Sequence, residues 1–165
     1  MSLDTATLAN IAIAASAVVA LVFGIFQVLA AVRDRRERLT IEIVRTLQTR
    51  EFAELAMDLR NHPPPTSGRE WLALPEAARL THVQFLQSME MLGLLVYDGT
   101  IDLQLVERTL GSYVVTTWQK FRPSIMDLRK FYPDPYLSEY YQYLAERIEA
   151  LMQQHPREPA YKPAH

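Results

Sequence analysis

Leu8 to Val32, LANIAIAASAVVALVFGIFQVLAAV, runs twenty-five residues without a charged side chain, and Arg33, Arg35, Arg36 and Arg38 follow at once. Only Asn10, Ser16 and Gln27 are markedly polar within it. As a helix the run would rise about 37 Å, enough to cross a hydrocarbon core of about 30 Å with some tilt. A helix is also the only way one isolated segment satisfies its own backbone donors and acceptors in lipid. A cleaved signal peptide would have a basic start, a shorter apolar stretch and a small-residue cleavage site. Here the start, MSLDTAT, is acidic and the arginines lie after the run. A buried helix of a soluble protein seldom carries so long an uncharged stretch. The reading is therefore a retained transmembrane helix over 8–32, preceded by a short extracytoplasmic N-terminus over 1–7.

The arginines predict orientation. Cytosolic flanks carry the excess of Lys and Arg close to a span, and here Arg33, Arg35, Arg36 and Arg38 lie on the C-terminal side with none on the N-terminal side. The N-terminus is expected outside and the body of the chain in the cytosol. The cluster could also touch anionic headgroups, at about 1 kcal/mol per basic residue, although Asp34 and Glu37 dilute that effect. Within the span, Ala12, Ser16, Ala20 and Gly24 recur every four residues. Such a small-residue face lets a second helix approach closely and is a candidate association face; the abundance of Ala makes accidental matches easy.

Beyond the anchor, about 120 residues over 33–153 suffice for one modest core. The absence of cysteine excludes disulfides and thiolate metal sites. A formal charge of −2 argues against a dedicated nucleic-acid binder. The pattern is all-α, a small bundle of about four to five helices. The segment 33–60 carries Ile41, Val44, Leu47, Leu55 and Leu59 at helical spacing, so the anchor either continues into it unbroken or restarts near Thr49. Asn61-His62-Pro63-Pro64-Pro65 ends it, and a loop is expected through Gly68. Pro75 and Glu76 open a helix that Asp98-Gly99 stops. Thr100 is expected to cap a short helix over 102–110 that Gly111 ends. A further helix from Ser112 carries Trp118, Phe121, Ile125 and Leu128, with Pro123 expected to interrupt and kink it. Asp134 is expected to cap a last helix opened by Pro135 and running to about Gln154. The end of the chain, 154–165, is polar and proline-rich and reads as disordered.

No catalytic motif is legible. The serines lack a nucleophile-elbow sequence, and there is no glycine-rich phosphate loop. His82 and Glu90 are two helical turns apart, too far for a helical metal pair, so neither metal nor cofactor is expected. Glu90 sits in the apolar stretch MEML and needs a partner. Arg122 and Arg129, seven residues apart on the following helix, are the expected ones. The trio is either a structural ion pair that docks two helices or a small polar pocket for an anionic ligand. Tyr140, Tyr141 and Tyr143 cannot all face one way, and together they form a candidate interaction surface.

The order of these features resembles an uncharacterised family of short bacterial single-pass membrane proteins, defined only as a domain of unknown function. The resemblance rests on the N-terminal span, its basic flank, and LQTREFAELAMDLR over 47–60. It extends to MEMLGLLVYDGTIDLQLVERTLG from Met89 and to WQKFRPSIMDLR from Trp118 to Arg129. Trp118, Glu90 and Arg129 look like its bulky or polar signature positions. The resemblance implies an N-terminal anchor, a helical cytosolic body and a place in the cell inner membrane; it implies no activity, substrate or cofactor. The expected partners are the lipid bilayer and another protein or a second copy of the chain. The expected function is that of a membrane-anchored interaction or scaffold module rather than an enzyme. The alternative is a tethered sensor that binds a small anionic ligand between helices.

Overall fold

A computed structural model describes residues 4–156. Every regular element in that range is helical: α1 (Thr5–Thr46), α2 (Arg50–Asn61), α3 (Gly68–Ala73), α4 (Glu76–Tyr97), α5 (Leu103–Phe131) and α6 (Glu139–Gln154). The all-α expectation holds. The chain divides into two compact units at Arg38/Leu39.

The first unit is the apolar part of α1. Over Ile13–Thr46 this helix is long and apolar enough to cross a membrane; its most apolar stretch has mean hydropathy 2.4, and nothing in that stretch is buried by protein. Large apolar side chains such as Ile13, Phe23 and Phe26 are exposed.

The second unit begins with the last turns of α1 and contains α2 to α6. Its core is continuous. Phe85, Met89 and Leu92 of α4 meet Val114, Phe121 and Ile125 of α5, and Tyr141, Leu144 and Ile148 of α6 close it. Phe85 stacks on Phe121 with ring centres 5.4 Å apart, and Tyr141 meets Phe85 and Trp118 edge-on. α2 lies against α4, and α3 against α5.

Local chemistry fixes the ends. Thr49 caps α2, its hydroxyl accepting the Phe52 amide, so the chain does restart there after α1 ends at Thr46. Pro75 precedes α4 and Gly99 takes a positive φ of 69° just after it, as the sequence predicts.

Five expectations need correction. The stretch after the prolines contains a short helix, α3, capped by Ser67 and steadied by Glu70, whose carboxylate accepts the Thr66 amide. Asp102, not Thr100, caps α5 by accepting the Leu105 amide. Gly111 does not end a helix: it lies buried inside α5, where a Cβ would come 3.2 Å from Ile148 of α6, so it is a packing position within one continuous element. α5 also runs on through Pro123. Finally, Asp134 closes a turn on the Tyr136 amide, and α6 starts only at Glu139, after Ser138 in a left-handed conformation (φ 58°).

The expected extracytoplasmic start and disordered tail fall partly on residues 1–3 and 157–165, which lie outside the described residues.

Candidate functional site

The start of α6 is where the polar residues singled out in the sequence converge. Ser138 occupies its N-cap position but its side chain makes no capping bond. The work is done from α4. The Glu90 carboxylate accepts the Tyr140 amide at 3.2 Å and the Tyr141 amide at 2.8 Å. These are the second and third amides of the helix, the ones an N-cap side chain normally satisfies, and a carboxylate there also suits the positive end of the helix dipole.

Arg129 grips the same region from α5. Its Nε and Nη2 donate to the Leu137 carbonyl at 3.0 and 2.8 Å, and Nη1 donates to Gln142 Oε1 at 2.8 Å. The expected ion pair is therefore replaced. Glu90 and Arg129 both hold the start of α6, one through its amides and one through the carbonyl just before it, and neither is spent on the other. Arg122 is exposed and joins neither. None of the three lines the cleft between α1, α2 and α4 or the one between α2 and α5.

Below Glu90, one turn along α4, Gly93 lets the Tyr140 backbone lie against the helix; a Cβ at this position would overlap the Tyr140 carbonyl. One further turn on, the Tyr97 ring packs at 5.4 Å from Tyr140 and 5.2 Å from Tyr143. Glu90, Gly93 and Tyr97 thus form one stripe that reads α6. The spacing Glu90-x-x-Gly93-x-x-x-Tyr97 was available in the sequence as a signal for it.

The three tyrosines separate. Tyr141 is a core residue with no exposed surface, so it drops out of the expected interaction surface. Its hydroxyl shares a 2.7 Å hydrogen bond with Thr117. Burial pushes its pKa well above the ordinary phenol value, and the Thr117 bond offsets part of that. Tyr140 and Tyr143 are half-buried against Tyr97. In the second unit Tyr97 is exposed on its outer side, as are Phe131 at the end of α5 and Tyr132 and Tyr136 on the connection to α6.

Of the candidate association face on α1, Ser16 and Ala20 are exposed, and a Cβ at Gly24 would meet nothing within 4 Å; the Ala12 side chain lies outside the described ones. In the basic flank Arg33, Arg35 and Arg38 are exposed and Arg36 is half-covered.

Elsewhere, His82 is buried completely between the Trp71 and Phe121 rings, with Nε2 2.8 Å from the His62 carbonyl. Since a carbonyl only accepts, Nε2 carries the proton. Nδ1 is buried with no partner among the described residues. Burial holds the His82 pKa below its ordinary value; the bond to His62 opposes this and the nearby His62 ring adds to it. Among the described residues no group of three His, Asp or Glu side chains could hold a metal ion.

Two clefts open on the second unit. A largely apolar one of about 360 Å³ lies between the end of α1 (Ile43, Thr46), α2 (Phe52, Leu55) and α4 (Leu92, Leu95). The other, about 290 Å³, lies between the end of α2, the proline turn and α5.

No curated protein and no solved structure is similar to the chain. A family model described as a domain of unknown function (DUF4760) matches residues 14–148, from within the apolar part of α1 to Ile148 of α6. That match covers most of the chain and takes in the Glu90, Gly93 and Tyr97 stripe together with the α6 start it holds, so the protein belongs to the DUF4760 family.

Proposed function

We propose that this protein is a single-pass membrane protein with its N-terminus outside, whose helical body in the cytosol binds another protein or a second copy of itself. The observation that carries the reading is the uncovered apolar length of α1 on a chain whose other unit already closes its own core. Such a helix gains nothing from water and a great deal from lipid. Arg33, Arg35, Arg36 and Arg38, all on its C-terminal side, support the orientation. Anchoring concentrates the body at the bilayer and raises its effective concentration for any membrane-bound partner. The exposed Phe131, Tyr132 and Tyr136 are of the type enriched at protein interfaces.

The test is purification of the tagged full-length protein from bacterial inner membranes in mild detergent, with mass and composition of the eluted complex determined. A stoichiometric second protein, or a defined homo-oligomer, supports the module; a bare monomer overturns it. A reporter fused at the C-terminus that is active only outside the cytosol would overturn the orientation.

A further inference from the structure

The smaller cleft has a character of its own. Its floor and walls are apolar: Leu59 of α2, Pro64 of the turn and Phe121 of α5. Its polar groups are Arg60, Tyr113 and Lys120. Thr117 also lines it, but its hydroxyl is engaged with the Tyr113 carbonyl at 2.6 Å and with the Tyr141 hydroxyl at 2.7 Å.

The two cations are exposed, and neither meets a hydrogen-bond acceptor or a carboxylate among the described residues. Sequence explains why. The positions one helical turn from Lys120 are Thr116, Thr117, Pro123 and Ser124, and those one turn before Arg60 are Ala56 and Met57. No acid is placed to neutralise either charge along its own helix. Arg60, in the last turn of α2, offsets the negative end of that helix dipole; Lys120, in the middle of α5, has no such role. The prolines give the wall fixed backbone angles, so the cleft is preformed rather than assembled on binding. Tyr113, whose phenol is raised in pKa by burial, stays a hydroxyl donor.

We propose that the cleft framed by Arg60, Tyr113 and Lys120 binds a small organic anion, its phosphate or carboxylate held by the two cations and its aromatic or apolar body lying against Ala56, Pro63 and Pro64. The volume, about 290 Å³, suits a ligand of that size. The anionic group could belong to a free small molecule or to a lipid headgroup, since both offer the same chemistry. This site is separate from the interaction reading above and does not depend on it.

The experiment uses the full-length protein in phosphatidylcholine nanodiscs, titrated with phenyl phosphate and, as an uncharged control, benzyl alcohol, with thermal unfolding as the readout. In parallel, native mass spectrometry of protein released from nanodiscs containing phosphatidic acid records retained lipid. A free-anion site gives saturable stabilisation by phenyl phosphate and none by benzyl alcohol. A headgroup site gives retained phosphatidic acid instead. In either case the double variant Arg60→Gln, Lys120→Gln weakens binding by about tenfold or more, whereas Arg60→Lys with Lys120→Arg largely preserves it. Both positions are exposed, so the melting temperature without ligand falls only by the small contribution of Arg60 at the end of α2. Absence of both signals, or signals unchanged in the glutamine variant, overturns the proposal.

Discussion

The Glu90 carboxylate sits 2.8 Å from the Tyr141 amide and so serves as the N-cap of a helix that begins about fifty residues later in the chain. Helix α6 cannot start well by itself: Ser138 is left-handed and gives no capping bond. Its first turn is formed by tertiary contact, which couples the helix to α4. Glu90→Ala is expected to cost about 2 kcal/mol, because two amides lose a charged acceptor in a half-covered site. Glu90→Gln, which keeps one carbonyl oxygen, should cost less. Denaturant or thermal unfolding of the full-length protein measures both; no loss in either variant would mean that the carboxylate does not hold the start of α6.

Gly93 and Gly111 provide a matched pair. A methyl group at Gly93 would run into the Tyr140 carbonyl, which is backbone and cannot step aside without moving α6. Gly93→Ala is expected to destabilise by about 3 kcal/mol or more through that overlap. At Gly111 the same methyl would lie 3.2 Å from Ile148 Cγ2 and 3.5 Å from Glu107 Cγ, a tight contact with side chains that asks for a shift of a few tenths of an ångström and not of the backbone. Alanine also gains about 1 kcal/mol of helix propensity, so Gly111→Ala should be close to neutral. Hydrogen exchange of α6 amides separates the cases: faster only in Gly93→Ala.

These two glycines also mark the limit of what was legible. The boundaries of α4 could be read because Pro75, Asp98 and Gly99 act within a few residues of the helix they bound. Gly111 carries the same letter as a helix stop, and only Ile148, thirty-seven residues on, shows that it is a packing position. The need of Glu90 for a partner was readable from MEML, but the partner is a pair of backbone amides, and every residue but proline has one. A search among side chains therefore led to Arg122 and Arg129. Arg129 does reach the right place, the start of α6, by a different bond. Which of Tyr140, Tyr141 and Tyr143 enters the core depends on the register of α6, and that is set by where Ser138 lets the helix begin.

His82 makes stability depend on pH. Its folded-state pKa lies below the ordinary value of 6.5, so the unfolded chain takes up the proton first as the solution is acidified. This contribution to stability is fully present above about pH 6.5 and is lost as pH falls below it, toward the lower folded-state pKa. The melting temperature is expected to fall more between about pH 8 and pH 5 in the parent than in His82→Gln, which cannot titrate there. The variant should be less stable at pH 8, having lost the ring between Trp71 and Phe121. Identical pH profiles would show that the imidazole takes up its proton equally readily in the folded and unfolded chain, against the effect of burial.

The transmembrane face can be tested without disturbing the body. At Gly24 a side chain meets nothing within the protein, and Ala20 is exposed. Leucine at either position therefore adds apolar surface that lipid accepts, and the unfolding of the second unit should stay unchanged. If the face Ser16, Ala20 and Gly24 packs against another helix, the added bulk separates the two backbones and removes the close contact on which such packing relies. Ala20→Leu and Gly24→Leu are then expected to reduce association in a membrane two-hybrid assay several-fold, whereas Val18→Leu, on a different side of the helix, should not. A signal that survives both substitutions would place self-association, where it occurs, in the cytosolic body.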